Sequence, residues 1–132
     1  HVGDSRIYLF YRGKYKMRSQ DHSVPQMLVN SGMIKEKEIR YHPDRGRLLR
    51  VMGTEWSSPR FQAMETIPLK NGMTFLLCSD GFWELIEEKK MEKILKKAKT
   101  PKEWLTKMES VVLENGKDKE MDNYSAIAVF VR

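Results

Sequence analysis

Two short apolar runs constrain this chain most. Thr74 to Cys78 and Tyr124 to Val131 are of strand length, and neither approaches the length of a membrane span. The second is almost continuously apolar instead of alternating, which predicts a strand covered on both faces. A chain holding two such segments must build a sheet and bury it. Each run also abuts an aspartate: Asp80 lies just beyond the first, and Asp122 just before the second.

The remaining pattern fills in around that sheet. Arg6 to Tyr11 and Tyr15 to Arg18 are rich in aromatic and β-branched residues, and Arg12-Gly13-Lys14 between them predicts a hairpin. Ser23 precedes Val24-Pro25, an N-cap with an early-turn proline, so a short helix is expected over Val24 to Ser31 and ends at Gly32. Ile34 to Tyr41 reads as a second short helix. Phe61 to Ile67 reads as a further strand, joined to Thr74 to Cys78 through a turn at Lys70-Asn71-Gly72. Glu87 to Ala98 aligns Met91, Ile94, Leu95 and Ala98 on one helical face. Thr100-Pro101 caps another helix over Lys102 to Glu114, whose apolar set is Leu105, Met108, Val112 and Leu113. The order predicts an α+β fold, with a mostly antiparallel sheet and helices packed outside it.

Length and composition narrow the class. The 132 residues suit one domain, and 40% hydrophobic content suits a packed core. The net charge of +6 comes largely from lysines scattered along helical segments, without interleaved aromatics. That is the pattern of a solvated helix face, so no nucleic-acid partner is expected. No membrane partner is expected either. The single Cys78 sits within an apolar run and reads as a small core residue. With no disulfide or zinc spacing, a reducing cytoplasm is the expected compartment. No signal peptide opens the chain and no Met begins it, so His1 is read as a cut end.

Asp80 and Asp122 invite two readings. If their strands are antiparallel, the exit of one and the entry of the other share an edge, and the two carboxylates converge. Like charges held together need a cation, and oxygen donors favour Mg²⁺ or Mn²⁺. The plain alternative makes Asp80 a turn residue and Asp122 part of the solvated run Asp118-Lys119-Glu120-Met121-Asp122. Spacing alone favours the plain alternative, and the same holds for Asp4.

Several motifs, taken in order, add a resemblance. They are Gly3-Asp4-Ser5-Arg6, Asp21-His22-Ser23, and His42-Pro43 with Leu48-Leu49-Arg50-Val51-Met52-Gly53. Leu77-Cys78-Ser79-Asp80-Gly81-Phe82-Trp83-Glu84 and Asp122-Asn123 follow. This succession, spanning essentially the whole chain, resembles the C-terminal half of a metal-dependent protein serine/threonine phosphatase of type 2C. The resemblance implies part of an antiparallel β-sandwich flanked by helices, with the N-terminal portion absent. Residues 1–132 would then be the C-terminal part of a single catalytic domain, with a flap subdomain at about 33–60.

The resemblance also implies roles. Asp80 and Asp122 match ligands of one ion in a binuclear Mn²⁺ or Mg²⁺ centre. Asp4 matches a residue that helps hold a weaker third ion. Ser79, Gly81 and Asn123 match supporting positions, and His22 matches a structural one. Arg45, Arg47 and Arg50 in the flap face the phosphoprotein substrate or, on the plain reading, merely make a solvated basic loop. The family hydrolyses phosphoserine and phosphothreonine in proteins by in-line attack of a water activated between two ions. A serine/threonine kinase is the expected regulatory counterpart.

The family's phosphate-gripping Arg, its ligand for the second ion and its bridging Asp have no match in this chain. The chain alone is therefore expected to be inactive and, with apolar sheet faces left bare, to self-associate. Two other classes stay open from the residues: a non-catalytic interaction module and a basic nucleic-acid binder.

Overall fold

The computed structural model describes residues 1–57 and 60–132. The fold grows from a tight hairpin. Strand β1, Arg6–Tyr11, turns into β2, Lys14–Arg18, through Arg12 and Gly13. Both turn residues have positive φ, 49° and 71°, the left-handed pair required by the turn that best matches strand twist. β1 then pairs antiparallel with β3, Met73–Cys78, and β3 with β4, Ala126–Phe130. The result is a four-stranded antiparallel sheet in the order β2-β1-β3-β4.

Register sorts the sheet into two faces. Tyr8 lies opposite Leu76 and Leu76 opposite Ala128, while Phe10 lies opposite Thr74 and Thr74 opposite Phe130. This face is buried under helices α3, Glu88–Leu95, and α4, Pro101–Gly116. Met91 and Leu95 of α3 and Trp104, Met108 and Val112 of α4 supply the cover. Trp104 is its centre. Its ring meets Phe10 edge-on at 5.3 Å, and its indole N–H donates to the Met91 carbonyl at 3.1 Å, so no polar group is stranded.

The opposite face carries Ile7, Leu9, Phe75, Leu77, Ile127 and Val129. Here the expectation of cover on both sides fails: Ile127 is 62% exposed and Val129 45%. Helices α3 and α4 both cover the other face.

Helix starts follow the caps. Thr100 Oγ1 accepts from the Glu103 N–H at 3.1 Å and opens α4, with Pro101 as its first residue. Ser23 Oγ accepts from the Gln26 N–H at 3.4 Å and opens α1, Val24–Asn30. The predicted helix over Ile34 to Tyr41 is a 3-10 helix, Glu36–Tyr41, in which Glu38 reaches back to the Lys35 N–H at 2.8 Å.

Phe61 to Ile67 is not a strand. A strand needs a neighbouring backbone to pair with, and among the described residues this stretch pairs with His1. There Gln62 exchanges two hydrogen bonds with His1, at 2.8 and 2.9 Å. Its β-prone side chains cannot substitute for a partner.

The chain forms two compact units. The first comprises His1–Ser5 and Ser19–Glu65, and the second Arg6–Arg18 and Thr66–Arg132. The predicted flap falls in the first, except for Ser58 and Pro59, which lie outside the described residues.

Candidate metal centre

The second unit brings the ends of β3 and β4 together. Their register places Cys78 opposite Ala126. One residue further, Ser79 donates its N–H to the Ser125 carbonyl at 3.0 Å, and its Oγ accepts from the Ser125 N–H at 3.0 Å. The side chain thus takes the place of a ladder carbonyl, leaving Ser79's own carbonyl free to turn away. That carbonyl accepts from Phe82 and Trp83, each at 3.2 Å, and starts the single helical turn α2, Asp80–Trp83. Asp80 is therefore the first residue past a sheet edge pinned on both of its polar groups.

Gly81 decides how close the two segments come. A Cβ there would sit 2.5 Å from the Asn123 carbonyl oxygen and 3.0 Å from that of Asp122. Only a glycine allows this backbone contact. The two aspartates follow the same local pattern. Asp80 Oδ1 accepts from the Gly81 N–H at 2.9 Å, and Asp122 Oδ1 from the Asn123 N–H at 2.7 Å. One oxygen of each carboxylate is thereby oriented by its own backbone. Asp80 is half-buried and Asp122 exposed.

This donor set suits a hard divalent ion: carboxylate oxygens, like-charged, at the open end of converging strands. Among the described residues, no three His, Cys, Asp or Glu side chains gather into a metal-binding group. The pair thus fits as part of a coordination shell, with further ligands needed to complete it.

Beneath this edge lies a cluster that sequence reading missed. Arg6 is 3% exposed, with its guanidinium 3.3 Å from the Trp83 ring centroid. It donates to the Tyr8 hydroxyl at 3.0 Å, which in turn donates to Glu88 Oε1 at 3.3 Å. Burial pushes the Tyr8 phenol above its ordinary value, so it stays a neutral donor. The signal was present: strand alternation puts Arg6 in phase with the inward-facing Tyr8 and Phe10. Cys78 is buried in the same layer, as its apolar run predicts.

The other candidate residues belong to the first unit. Asp4 is half-buried in the turn ahead of β1. Arg45, Arg47 and Arg50 are exposed. Arg47 approaches Asp44 at 3.6 Å, an exposed pair of little energetic consequence. Arg50 donates to the Arg60 carbonyl at 3.3 Å.

Comparison with known proteins gives this geometry a context. No family model matches the chain. A serine/threonine phosphatase, stp, of Listeria innocua is 35% identical over 102 residues, 76% of this chain and 39% of that protein. The crystal structure of serine/threonine phosphatase Stp1 from Staphylococcus aureus superposes with a TM-score of 0.79 at 26% identity, covering 99% of this chain and 50% of that one. This chain belongs to the type 2C serine/threonine phosphatases. It spans less than half the length of the curated relatives it matches. Another type 2C fold is the PstP catalytic domain solved in complex with two manganese ions, with a TM-score of 0.75 at 23% identity. It covers all of this chain and 52% of its own. The antiparallel sheet with helices on one face is thus about half of a type 2C phosphatase fold.

Proposed function

We propose that the natural protein carrying this chain hydrolyses phosphoserine or phosphothreonine in phosphoproteins, using Mn²⁺ or Mg²⁺. The observation that carries the reading is the junction of Asp80-Gly81 with Asp122-Asn123, where a glycine permits backbone contact between two carboxylate-bearing strand ends. The kinship with serine/threonine phosphatases, and the two-manganese PstP structure, support it.

Asp80 and Asp122 would hold one ion of a binuclear centre, and Asp4 would help hold a weaker third. A divalent ion bound there would supply positive charge to the phosphoryl group and lower the pKa of water. The chain's own part is to orient. Gly81 and Asn123 N–H groups hold one carboxylate oxygen each, and Ser79 pins the strand edge beneath them. Arg45, Arg47 and Arg50, in the flap at 33–60, would meet the phosphoprotein, since guanidinium forks suit phosphate oxygens. A serine/threonine kinase would supply the phosphorylated substrate in a cytoplasmic compartment. No helix among the described residues is long and apolar enough to cross a membrane.

A two-carboxylate half-shell does not make a phosphatase. The 132 residues alone should therefore bind Mn²⁺ weakly and leave a phosphothreonine peptide intact, while the natural protein turns it over. In the natural protein, Asp80→Asn or Asp122→Asn should each lower Mn²⁺-dependent turnover by roughly a hundredfold or more, on the scale of losing one charged transition-state support. Turnover by the 132 residues alone, or wild-type rates in both variants, refutes the assignment.

A further inference from the structure

The first unit is organised around His22, a buried residue that neither the strand-end carboxylates nor the flap arginines account for. It grips one residue, Gly3, twice. The His22 backbone N–H donates to the Gly3 carbonyl at 2.9 Å, and the Gly3 N–H donates to His22 Nδ1 at 3.2 Å. These two bonds set the peptide planes on either side of Gly3, which is itself buried with φ of +84°. The second of those planes leads directly into Asp4.

The bonding also selects a tautomer. A backbone amide can only donate, so Nδ1 must carry a lone pair and the neutral ring's proton sits on Nε2. Nε2 lies 3.2 Å from Gln62 Oε1, an acceptor, and 3.5 Å from the Arg50 guanidinium. The His1 ring stacks on His22 at 4.7 Å and 5°. The same residue reaches the flap: its carbonyl accepts from the Leu49 N–H at 2.8 Å, and next to it Ser23 bridges to Leu48.

We propose that His22 is a positioning residue, a neutral Nε2–H imidazole that fixes the Gly3-Asp4 turn and ties it to the flap base at Leu48 and Leu49. The consequence for ion binding rests on the reading of Asp4 as a ligand; the positioning itself does not.

Two substitutions separate the roles of the ring nitrogens. In His22→Asn, the amide oxygen can stand in for Nδ1 and accept from Gly3. In His22→Gln, the longer side chain reaches the Nε2 position and leaves Gly3 without an acceptor. In the full natural protein, ¹⁵N spectra should show His22 protonated on Nε2. Exchange of the Gly3 amide should quicken about tenfold in His22→Gln, the equivalent of one hydrogen bond. It should stay near wild type in His22→Asn. A ring protonated on Nδ1, or equal Gly3 exchange in the two variants, overturns the proposal. Mn²⁺ titration forms a separate arm, with weakened binding of the weakest ion expected in His22→Gln and in Asp4→Asn. If Asp4→Asn leaves that titration unchanged, the ligand reading of Asp4 fails, while tautomer and exchange still decide the role of His22.

Discussion

Gly81→Ala tests the junction of the two strand ends. A Cβ at position 81 would meet the Asn123 carbonyl oxygen at 2.5 Å, the Asp122 carbonyl oxygen at 3.0 Å and the Asn123 carbonyl carbon at 3.1 Å. Ordinary contact begins near 3.4 Å, so the Asn123 carbonyl would have to retreat by nearly an ångström. All three obstacles are backbone, and no side chain can rotate out of the way. Overpacking of a buried site of this kind costs about 1–3 kcal/mol.

An opposing effect must be subtracted. Alanine restricts the unfolded chain and favours the helical turn, which alone would stabilise by about 0.4–1 kcal/mol. Gly46→Ala isolates that gain, because a Cβ at Gly46 meets nothing within 4 Å. Denaturant unfolding of the purified protein should therefore place Gly81→Ala below wild type and Gly46→Ala at or slightly above it. The gain common to both variants cancels, so the gap between them should be about 1–3 kcal/mol. Mn²⁺ affinity should fall in Gly81→Ala, since retreat of Asn123 carries the neighbouring Asp122 away from Asp80. If Gly81→Ala unfolds at the same denaturant concentration as Gly46→Ala, the strand ends do not touch as described, and the carboxylates are not held together by this glycine.

Two further outcomes follow from the same physics. His22 has its pKa lowered from 6.5, chiefly by burial, which outweighs the upward pull of the Gln62 hydrogen bond and is joined by a lesser downward push from the Arg50 charge. The unfolded state therefore binds the extra proton first. The contribution of His22 is complete above about pH 6.5 and is lost as pH falls through the unfolded and then the folded value. Denaturation midpoints should drop as pH falls below about 7, and His22→Asn should reduce that slope; an unchanged slope refutes the linkage. We expect the 132-residue chain to self-associate through the uncovered sheet face, and Ile127→Lys to shift it towards monomer in sedimentation velocity while changing unfolding free energy by no more than about 0.5 kcal/mol. A wild-type chain that stays monomeric at tens of micromolar removes the reason for expecting that face to seek a partner.

What could be read in advance was whatever neighbours in sequence decide. Ser23 and Thr100 mark helix starts because a cap acts within three residues. The close approach of the backbone after Asp80 to that at Asp122 follows once two strands are antiparallel, since pairing is the only long-range information it needs. Phe61 to Ile67 fails for the converse reason: propensity was present, but among the described residues the pairing at Gln62 with His1 does not extend into a strand. Ser79 acting as a ladder group, Arg6 buried on Trp83, and the grip of His22 on Gly3 all depend on residues brought together by the fold. The exposed Ile127 and Val129 are more informative than a simple miss. The pattern of β4 is that of a strand covered on both sides, whereas α3 and α4 cover one. A sequence written for two covered faces, in a chain that covers one, is adapted to a larger packing arrangement than these residues make.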